Sequence, residues 1–280
     1  MQALLKSILK PLFNYVTNKN YRIYYRLLSA YSRDKRYTRR TMELLGYTIE
    51  VSDAISVVHQ FKEMFIDELY KFAAGKDNPL IYDCGANVGL SCLYFRKLYP
   101  HCSIKAFEAD PQICDMLRGN IERNIGSSNI EILNKAVWTD DEGVEFSQEG
   151  ADGGKVTFGD STGKKGMRVA SVRLKNLLEN EKPDFLKMDI EGSEIDVLLD
   201  CSSSLSNVQM MFVEYHSVPD RPQRLHALLA LLRETGFRYF IQSPIEFGSP
   251  FDLPWRDLNF DLQLNIYCYR PSPALGVLTS

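Results

Sequence analysis

Long apolar runs, paired cysteines and internal repeats are all missing from this sequence. No apolar stretch approaches the roughly 18 residues of a membrane-spanning helix, so a transmembrane protein is not indicated. The six cysteines form no C-x-x-C pair and have no histidine at metal-ligand spacing, which argues against a zinc site and a disulfide framework and predicts buried thiols in a reducing compartment. Since 45% of the 280 residues are hydrophobic and 25% are charged, the composition is that of a globular protein and excludes collagen, coiled coils and disordered chains.

Acidic residues are scarce in the first 40 positions. This segment has ten Lys and Arg residues against the single Asp34, and therefore a charge of +9, whereas the whole chain has a net charge of -3. Two interpretations stay open. The segment contacts an anionic partner such as a membrane face or a nucleic acid, or it is a solvated basic tail.

The start of the chain has the pattern of an amphipathic helix. Its apolar stripe consists of Leu4, Leu5, Ile8, Leu9, Leu12, Phe13 and Val16. Lys6, Lys10 and Pro11 interrupt the segment, which makes it a poor signal peptide, so we expect a cytoplasmic protein. The stripe is suited either to packing on the body of the protein or to peripheral contact with the inner face of a membrane.

From residue 47 onwards, strand and helix patterns alternate along the chain. The predicted strands are 47–51, 80–83, 103–107, 130–133, 185–188, 209–214, 237–242 and 262–269. The predicted helices are 90–99, a helix from Pro111, 193–199 and 221–234, and an earlier buried stripe includes Val57, Val58, Phe61, Phe65, Leu69 and Phe72. This alternation predicts an α/β fold with a mostly parallel sheet and helices on both faces. No helix pattern separates the last two strands, so we expect them to be antiparallel.

The segment Asp83-Cys84-Gly85-Ala86-Asn87-Val88-Gly89 follows a predicted strand and opens a helix, where open α/β sheets bind ligands. Gly85 and Gly89 favour close approach of a ligand to the backbone, and Ala86 lies in the same turn. A dinucleotide site would require glycine at position 87 and would not favour an adjacent carboxylate, so Asn87 and Asp83 argue against it. Asp83 suits a cofactor whose tail carries an ammonium group.

Glu108 ends the next predicted strand, 19 residues after Gly89, with Ala109 beside it. A carboxylate at this position accepts both hydroxyl groups of a ribose. A cofactor that contains both an amino acid and a ribose is S-adenosylmethionine. The alternative is a tight turn between a strand and a helix that binds nothing.

Three carboxylates cluster within six residues after the strand at 185–188. Asp189, Glu191 and Glu194 surround a glycine at a strand end that faces the same crevice as the first loop. We assign Asp189 to the cofactor and the reaction, and Glu191 to substrate binding or turn shape, together with the preceding Lys187. The alternative for Glu191 and Glu194 is stabilisation of a helix N-terminus.

Glu214 and His216 come at the end of the following strand. His216 is a candidate general base that orients and deprotonates a hydroxyl group with Asp189, because its reference pKa of about 6.5 would leave the imidazole mostly neutral. A second interpretation places a divalent cation between Asp189 and Glu214, although our main expectation includes no metal.

These segments together resemble the FkbM-type S-adenosylmethionine-dependent methyltransferases. The similarity runs from about residue 46 to 240 and lies in five segments: D-x-G-A-N-x-G at 83–89, F-E-A-D-P at 107–111, N-K-A-V at 134–137, L-K-M-D-I-E-G-S-E at 186–194 and V-E-Y-H at 213–216. The resemblance implies a class I Rossmann-like fold with seven strands in the order 3-2-1-4-5-7-6. It also implies cofactor contacts from Asp83, Gly85, Asn87 and Glu108, and an adenine edge near Ala136 and Val137.

The resemblance implies O-methylation of a hydroxyl group on a sugar, glycan intermediate or related metabolite. We expect two parts, a basic and partly amphipathic helical extension at 1–45 and the methyltransferase domain at 46–280. Two alternatives remain, an RNA methyltransferase that uses the basic arm and a non-catalytic binding protein tethered to a membrane.

Overall fold

The computed structural model describes residues 13, 15–147, 155–156, 167–219, 221–244 and 260–271. Its strands are β1 Arg40–Leu44, β2 Tyr47–Val51, β3 Leu80–Cys84, β4 Ser103–Phe107, β5 Ile130–Leu133, β6 Ala136–Trp138, β7 Val144–Ser147, β8 Lys155–Val156, β9 Met167–Val169, β10 Ser171–Arg173, β11 Phe185–Met188, β12 Met210–Ser217, β13 Arg238–Gln242 and β14 Leu262–Tyr269. Its α-helices are α1 Lys19–Tyr31, α2 Ala54–Phe65, α3 Leu90–Leu98, α4 Pro111–Asn124, α5 Leu174–Asn180, α6 Glu194–Asp200 and α7 Leu225–Glu234.

The main sheet has seven strands in the order β5-β4-β3-β11-β12-β14-β13. The first five strands in this order pair in parallel, whereas β14 is antiparallel to both β12 and β13. The order confirms the expected 3-2-1-4-5-7-6 arrangement of a class I Rossmann-like fold. The antiparallel pairing of the last two strands is confirmed as well.

Two apolar cores cover the two faces of this sheet, because side chains alternate between the faces along each strand. On one face, Ile81, Phe185 and Phe212 pack with α2 and α3. On the other face, Tyr82 and Leu186 pack with α6 and α7. A strand buried on both sides reads as a continuous apolar run, which is why the central strands were recognisable from the sequence.

Several boundaries differ from the predicted ones. Strand β12 continues to Ser217, beyond the predicted end at residue 214, because it pairs with β14 along its whole length. His216 therefore lies within a strand and not in the loop that follows it. Helix α2 ends at Phe65, so Leu69 and Phe72 pack against the core from beyond the helix.

Side-chain caps satisfy free backbone N–H groups at the start of three helices, α1, α2 and α4. Asp110 accepts hydrogen bonds from the backbone N–H groups of Gln112 and Ile113 at 2.8 and 3.3 Å, and Pro111 occupies the first turn of α4. Asp53 caps α2 in the same way. The cap predicted at Asp110 is therefore present.

Residues 15–51 form a helix and a hairpin that pack against the body. Helix α1 packs on α2, and Tyr24 and Leu27 are part of the core. Strands β1 and β2 pair across residue 45, so the hairpin joins both sides of the boundary predicted there. The division into 1–45 and 46–280 stays a prediction, and most of the amphipathic stripe lies outside the described residues.

Several arginines of the N-terminal segment form contacts within the chain itself. Four arginines bond to nearby groups: Arg22 to the carbonyl of Val16, Arg36 to Asp53, Arg39 to Glu50 and Arg40 to Asp34. The three ion pairs, those of Arg36, Arg39 and Arg40, lower the charge available to an external anion. Contact of residues 1–40 with a membrane or with RNA stays a prediction.

All six cysteines are buried and unpaired, as the sequence predicted. No helix among the described residues combines the length and the apolar character that crossing a membrane requires.

Candidate active site

A cavity of about 330 Å³ opens at the carboxyl ends of β3, β4, β11 and β12. Parallel strands bring the segments that follow them to the same edge, which is why residues distant in sequence meet there. Most of the predicted site residues line the cavity: Gly85, Ala86, Asn87, Glu108, Ala109, Ala136, Val137, Lys187, Asp189, Glu191, Glu214 and His216. Asp83 and Gly89 do not.

The glycine loop lies directly against the end of β11. Backbone N–H groups of Gly85 and Ala86 donate to the carbonyl of Phe107 at 3.0 and 2.9 Å. Gly85 has φ +84, and a Cβ atom there would lie 1.8 Å from the backbone oxygen of Asp189. Glycine at position 85 thus allows the loop and the Asp189 turn to approach each other on the floor of the cavity.

Glu108 is fixed by two backbone groups. Its Oε2 accepts the N–H of Asn87 at 2.9 Å, and its Oε1 accepts the N–H of Asp110 at 2.9 Å. Burial raises the pKa of Glu108 to about 7, although both hydrogen bonds act in the opposite direction. The carboxylate therefore lines the cavity in a defined orientation and titrates near neutral pH.

Asp83 lies beneath the glycine loop and is fully buried. Its Oδ2 accepts a hydrogen bond from Ser91, and its Oδ1 is 3.4 Å from Nζ of Lys187. Since Asp83 does not line the cavity, the geometry does not support the direct contact with a cofactor ammonium group that we expected. We propose instead that Asp83 supports the loop through Lys187.

Gly89 has a packing role. It precedes α3 with φ +90, and a Cβ atom there would be 2.5 Å from Cδ1 of Leu117 on α4. The small residue lets these two helices approach each other. Gly89, which we assigned to the cofactor, lies behind the cavity wall.

Lys187 holds the floor of the cavity together. It is 1% exposed, and its Nζ lies 3.1 Å from Oδ2 of Asp189 and 2.8 Å from the backbone oxygen of Gly85. With its contact to Asp83, the ammonium group connects the ends of β3 and β11. A buried ammonium group is stable in this place because two carboxylates and two backbone carbonyls surround it.

His216 is surrounded by carboxylates. Its Nδ1 lies 3.1 Å from Oε1 of Glu194, and its Nε2 lies 3.6 Å from Glu214 and 3.9 Å from Glu191. Burial alone would lower the pKa of His216, but these carboxylates raise it to about 10. The surrounding carboxylates therefore favour the charged ring, and this environment does not support the neutral base expected from the reference pKa.

The neighbouring carboxylates hold protons more tightly than usual. Burial, with Asp189 nearby, raises the pKa of Glu214 to about 8, and burial raises the pKa of Glu191 well above its usual range. Glu191 also has φ +58, an uncommon conformation for a residue with a side chain. These groups make one end of the cavity rich in carboxylates, which we call the acceptor end, defined by Asp189, Glu191, Glu214 and His216.

Helix α2 supplies a wall of the cavity that the sequence reasoning missed. Its residues Ser56, His59, Gln60, Glu63 and Met64 line the cavity at helical spacing. The sequence contains the signal, since these positions alternate with the apolar stripe that we recognised. Tyr70, Phe146, Gln263 and Phe260 also line it, with the Phe260 ring centroid 4.5 Å from that of His216.

The strand order and the cavity at the carboxyl edge define the chain as a class I methyltransferase fold. Residues 83–239, more than half of the chain, match the family model described as "Methyltransferase FkbM domain". The chain therefore belongs to the FkbM methyltransferase family, whose members use S-adenosylmethionine, and the resemblance found in the sequence is confirmed.

The individual relatives described below are less than 30% identical to this chain. Methyltransferase sdnD of Sordaria araneosa is 29% identical over 173 residues, which cover 49% of this chain and 66% of the relative. Hexuronic acid methyltransferase AglP of Haloferax volcanii is 28% identical over 159 residues, which cover 55% of this chain and 63% of the relative. The chain thus spans just under two thirds of the length of these curated relatives. A crystal structure of Methyltransferase FkbM from Methylobacillus flagellatus matches 73% of this chain and 46% of that chain, with 17% identity and a TM-score of 0.47.

Proposed function

We propose that this protein transfers the methyl group of S-adenosylmethionine to a hydroxyl group of a sugar, glycan intermediate or related metabolite. The observation that carries the proposal is a single cavity with two chemically different ends. Glu108 and the glycine loop lie at one end, and Asp189, Glu214 and His216 lie at the other. The relative named as a hexuronic acid methyltransferase supports a sugar-derived acceptor.

The first end suits the adenosyl part of the cofactor. The ionised carboxylate of Glu108 would accept the two ribose hydroxyl groups, since its oxygens already have fixed directions. Ala136, Val137 and Ile113 provide an apolar edge for the adenine ring. We place the methionine part along the backbone around Gly85, which adjoins Asp189 at the start of the acceptor end.

Methyl transfer then requires an acceptor oxygen in line with the carbon–sulfur bond. The oxygen forms a bond to the methyl carbon, the carbon–sulfur bond breaks with its electron pair going to sulfur, and the hydroxyl proton leaves to a base. Most of the acceleration comes from holding the two reactants together in a water-poor pocket. We propose that a carboxylate of the acceptor end takes the proton, whereas charged His216 orients these carboxylates.

The proposal is tested by whether the transferred methyl group is bound as an ether or as an ester. With S-adenosylmethionine labelled in the methyl group and a set of nucleotide-activated hexoses and hexuronic acids, we expect a labelled product that resists mild alkali. Methyl ethers of hydroxyl groups are stable under these conditions, whereas methyl esters of carboxyl groups are hydrolysed. Label released by alkali would contradict hydroxyl methylation, even though it would still demonstrate methyl transfer.

Glu108→Gln should weaken the binding of S-adenosylmethionine by about 10-fold to 100-fold. Hydrogen bonds to a charged group contribute about 1.5–3 kcal/mol, and about 1.4 kcal/mol corresponds to a tenfold change in affinity. Because the pKa of Glu108 is raised to about 7, and the ionised form accepts the ribose hydroxyl groups, affinity of the unaltered protein should rise with pH. At pH 6 only about one molecule in eleven is ionised, so the dissociation constant should be about tenfold larger than at pH 8.

Calorimetric titration at pH 6, 7 and 8 measures both effects, and the Glu108→Gln variant should lose this pH dependence. Thermal unfolding supplies the control. A carboxyl group whose pKa is raised on folding destabilises the folded state once it ionises, that is, as the pH rises through 7. The variant should therefore be at least as stable as the unaltered protein at pH 8, and a large loss of stability would mean that the weaker binding comes from misfolding.

A further inference from the structure

Three side chains at the acceptor end have the arrangement of metal ligands. One ligand atom each from Asp189, Glu214 and His216 lie within 4.8 Å of one another, and the distance from Nε2 of His216 to Oε1 of Glu214 is 3.6 Å. A cation with bonds of about 2.1 Å keeps its ligand atoms about 3 to 4 Å apart, so the His216–Glu214 pair already has this spacing, and the three atoms need to close by at most about 1 Å to share one cation. The three groups come from the ends of neighbouring strands, β11 and β12, so the sheet determines their positions.

The imidazole of His216 is oriented as metal-binding histidines are. Its Nδ1 contacts Glu194, which is 1% exposed and also accepts the backbone N–H groups of Ile190 and Gly192 at 3.1 and 3.0 Å. Glu194 therefore holds the ring with Nε2 towards Glu214 and Glu191, at 3.6 and 3.9 Å. In metal sites, the second ring nitrogen of a ligating histidine usually donates a hydrogen bond to a carboxylate, which fixes the orientation of the ring.

The cavity also contains a polar group without a partner, and more carboxyl groups than cationic groups. Ser193 lines it and is 1% exposed, and its Oγ has no hydrogen-bond partner among the described residues. Carboxylates outnumber cationic groups at this end, where Lys187 is shared between Asp83 and Asp189. A buried oxygen without a partner and an excess of carboxylates both indicate a cationic ligand that completes the site.

We propose that Asp189, Glu214 and Nε2 of His216 bind a divalent cation of the Mn²⁺ type at the acceptor end. Two carboxylates and one imidazole suit Mn²⁺ better than Ca²⁺, which prefers oxygen ligands alone. The cation replaces the proton on Nε2. Asp189 and Glu214 are 22% and 17% exposed, so coordination positions on the cavity side stay open to other oxygens.

This inference rests on the proposed function and narrows its substrate class. Two adjacent open coordination positions on the cation can bind two neighbouring oxygens of one acceptor, such as those of a vicinal diol or a hydroxy acid. Coordination lowers the pKa of a bound hydroxyl group, so a weak base suffices to remove its proton.

Titration with Mn²⁺ alone tests the site, because the electron paramagnetic resonance signal of free Mn²⁺ disappears on binding. With the full chain at pH 8, we expect one Mn²⁺ per chain, and roughly tenfold or greater weakening in Glu214→Gln and in His216→Gln. Glu63→Gln is the matched control. It removes a carboxylate that lines the same cavity but is not among the three ligands, and should change the affinity by less than about threefold.

Absence of Mn²⁺ binding at millimolar concentrations would overturn the inference. Equal Mn²⁺ affinity in the unaltered protein and in the Glu214→Gln, His216→Gln and Glu63→Gln variants would also overturn it. Circular dichroism identifies a variant that fails to fold, and the test then rests on the other one. Calorimetric titration with S-adenosylmethionine in the absence of metal separates the two proposals. Cofactor binding without Mn²⁺ binding would refute the metal site alone, whereas Mn²⁺ binding without cofactor binding would refute the proposed function.

Discussion

Gly85→Ala should destabilise the protein by more than about 3 kcal/mol and reduce S-adenosylmethionine binding by at least about 100-fold. The added Cβ would lie 1.8 Å from the backbone oxygen of Asp189, and no side chain can move to relieve a contact with the backbone. The φ angle of +84 adds about 1–2 kcal/mol of strain for any residue with a side chain. To relieve the contact, the loop after β3 must separate from the turn after β11, which opens the floor of the cavity.

Gly126→Ala is the matched control for this experiment. Gly126 also has a positive φ, +68, but a Cβ atom there would meet nothing within 4 Å. The control should therefore lose only the strain energy, about 1–2 kcal/mol, and bind the cofactor normally. Urea unfolding and calorimetric titration measure the two quantities. Equal results for the two variants would show that the close approach of the two strand ends does not matter.

The site residues at the strand ends could be predicted because each directly follows a strand that is recognisable from the sequence. Glu108, Asp189 and the glycine loop each follow a strand that reads as a short apolar run, and parallel strands must bring their carboxyl ends together. No further information was needed to place these residues around one cavity. The burial of Asp83 was not predictable in this way, because a carboxylate at a strand end can face the cavity or the layer beneath it. Its direction follows from Ser91 and Lys187, which approach it from two other elements.

The charge of His216 depends on three-dimensional context in the same way. Its reference pKa suggests a neutral ring, yet Glu191 and Glu194, about 22 to 25 positions earlier in the chain, face it together with Glu214. Only the pairing of β11 with β12 brings these groups together.

The cavity wall formed by α2 could not be predicted from the sequence for a different reason. Ser56 and Glu63 follow a visible helical period, but the sequence does not show which layer the polar face of that helix contacts.

Lys187→Met should cost about 3–5 kcal/mol of stability, the usual effect of removing one partner from a buried ion pair. Methionine fills a similar volume, so the loss arises mainly from charge. Asp83 would remain fully buried without its cationic partner, and the backbone oxygen of Gly85 would lose a hydrogen-bond donor. Since the ammonium group also holds Asp189, we expect S-adenosylmethionine binding to weaken in the same variant.

Two comparisons show whether charge is the cause. Lys105→Met changes a lysine of the same sheet whose carboxylate partners, Glu181 and Glu131, remain accessible to water, and it should cost about 1 kcal/mol or less. In the double variant Lys187→Met with Asp83→Asn, the unpaired buried charge is removed while Ser91 keeps a hydrogen-bonding partner. The free energy of unfolding, measured with urea, should therefore be higher in the double variant than in Lys187→Met alone. Cofactor binding should stay weak, because Asp189 still lacks its lysine partner. If the double variant is as unstable as Lys187→Met alone, the ammonium group acts through packing, and the support that we assign to the Asp83–Lys187 pair is wrong.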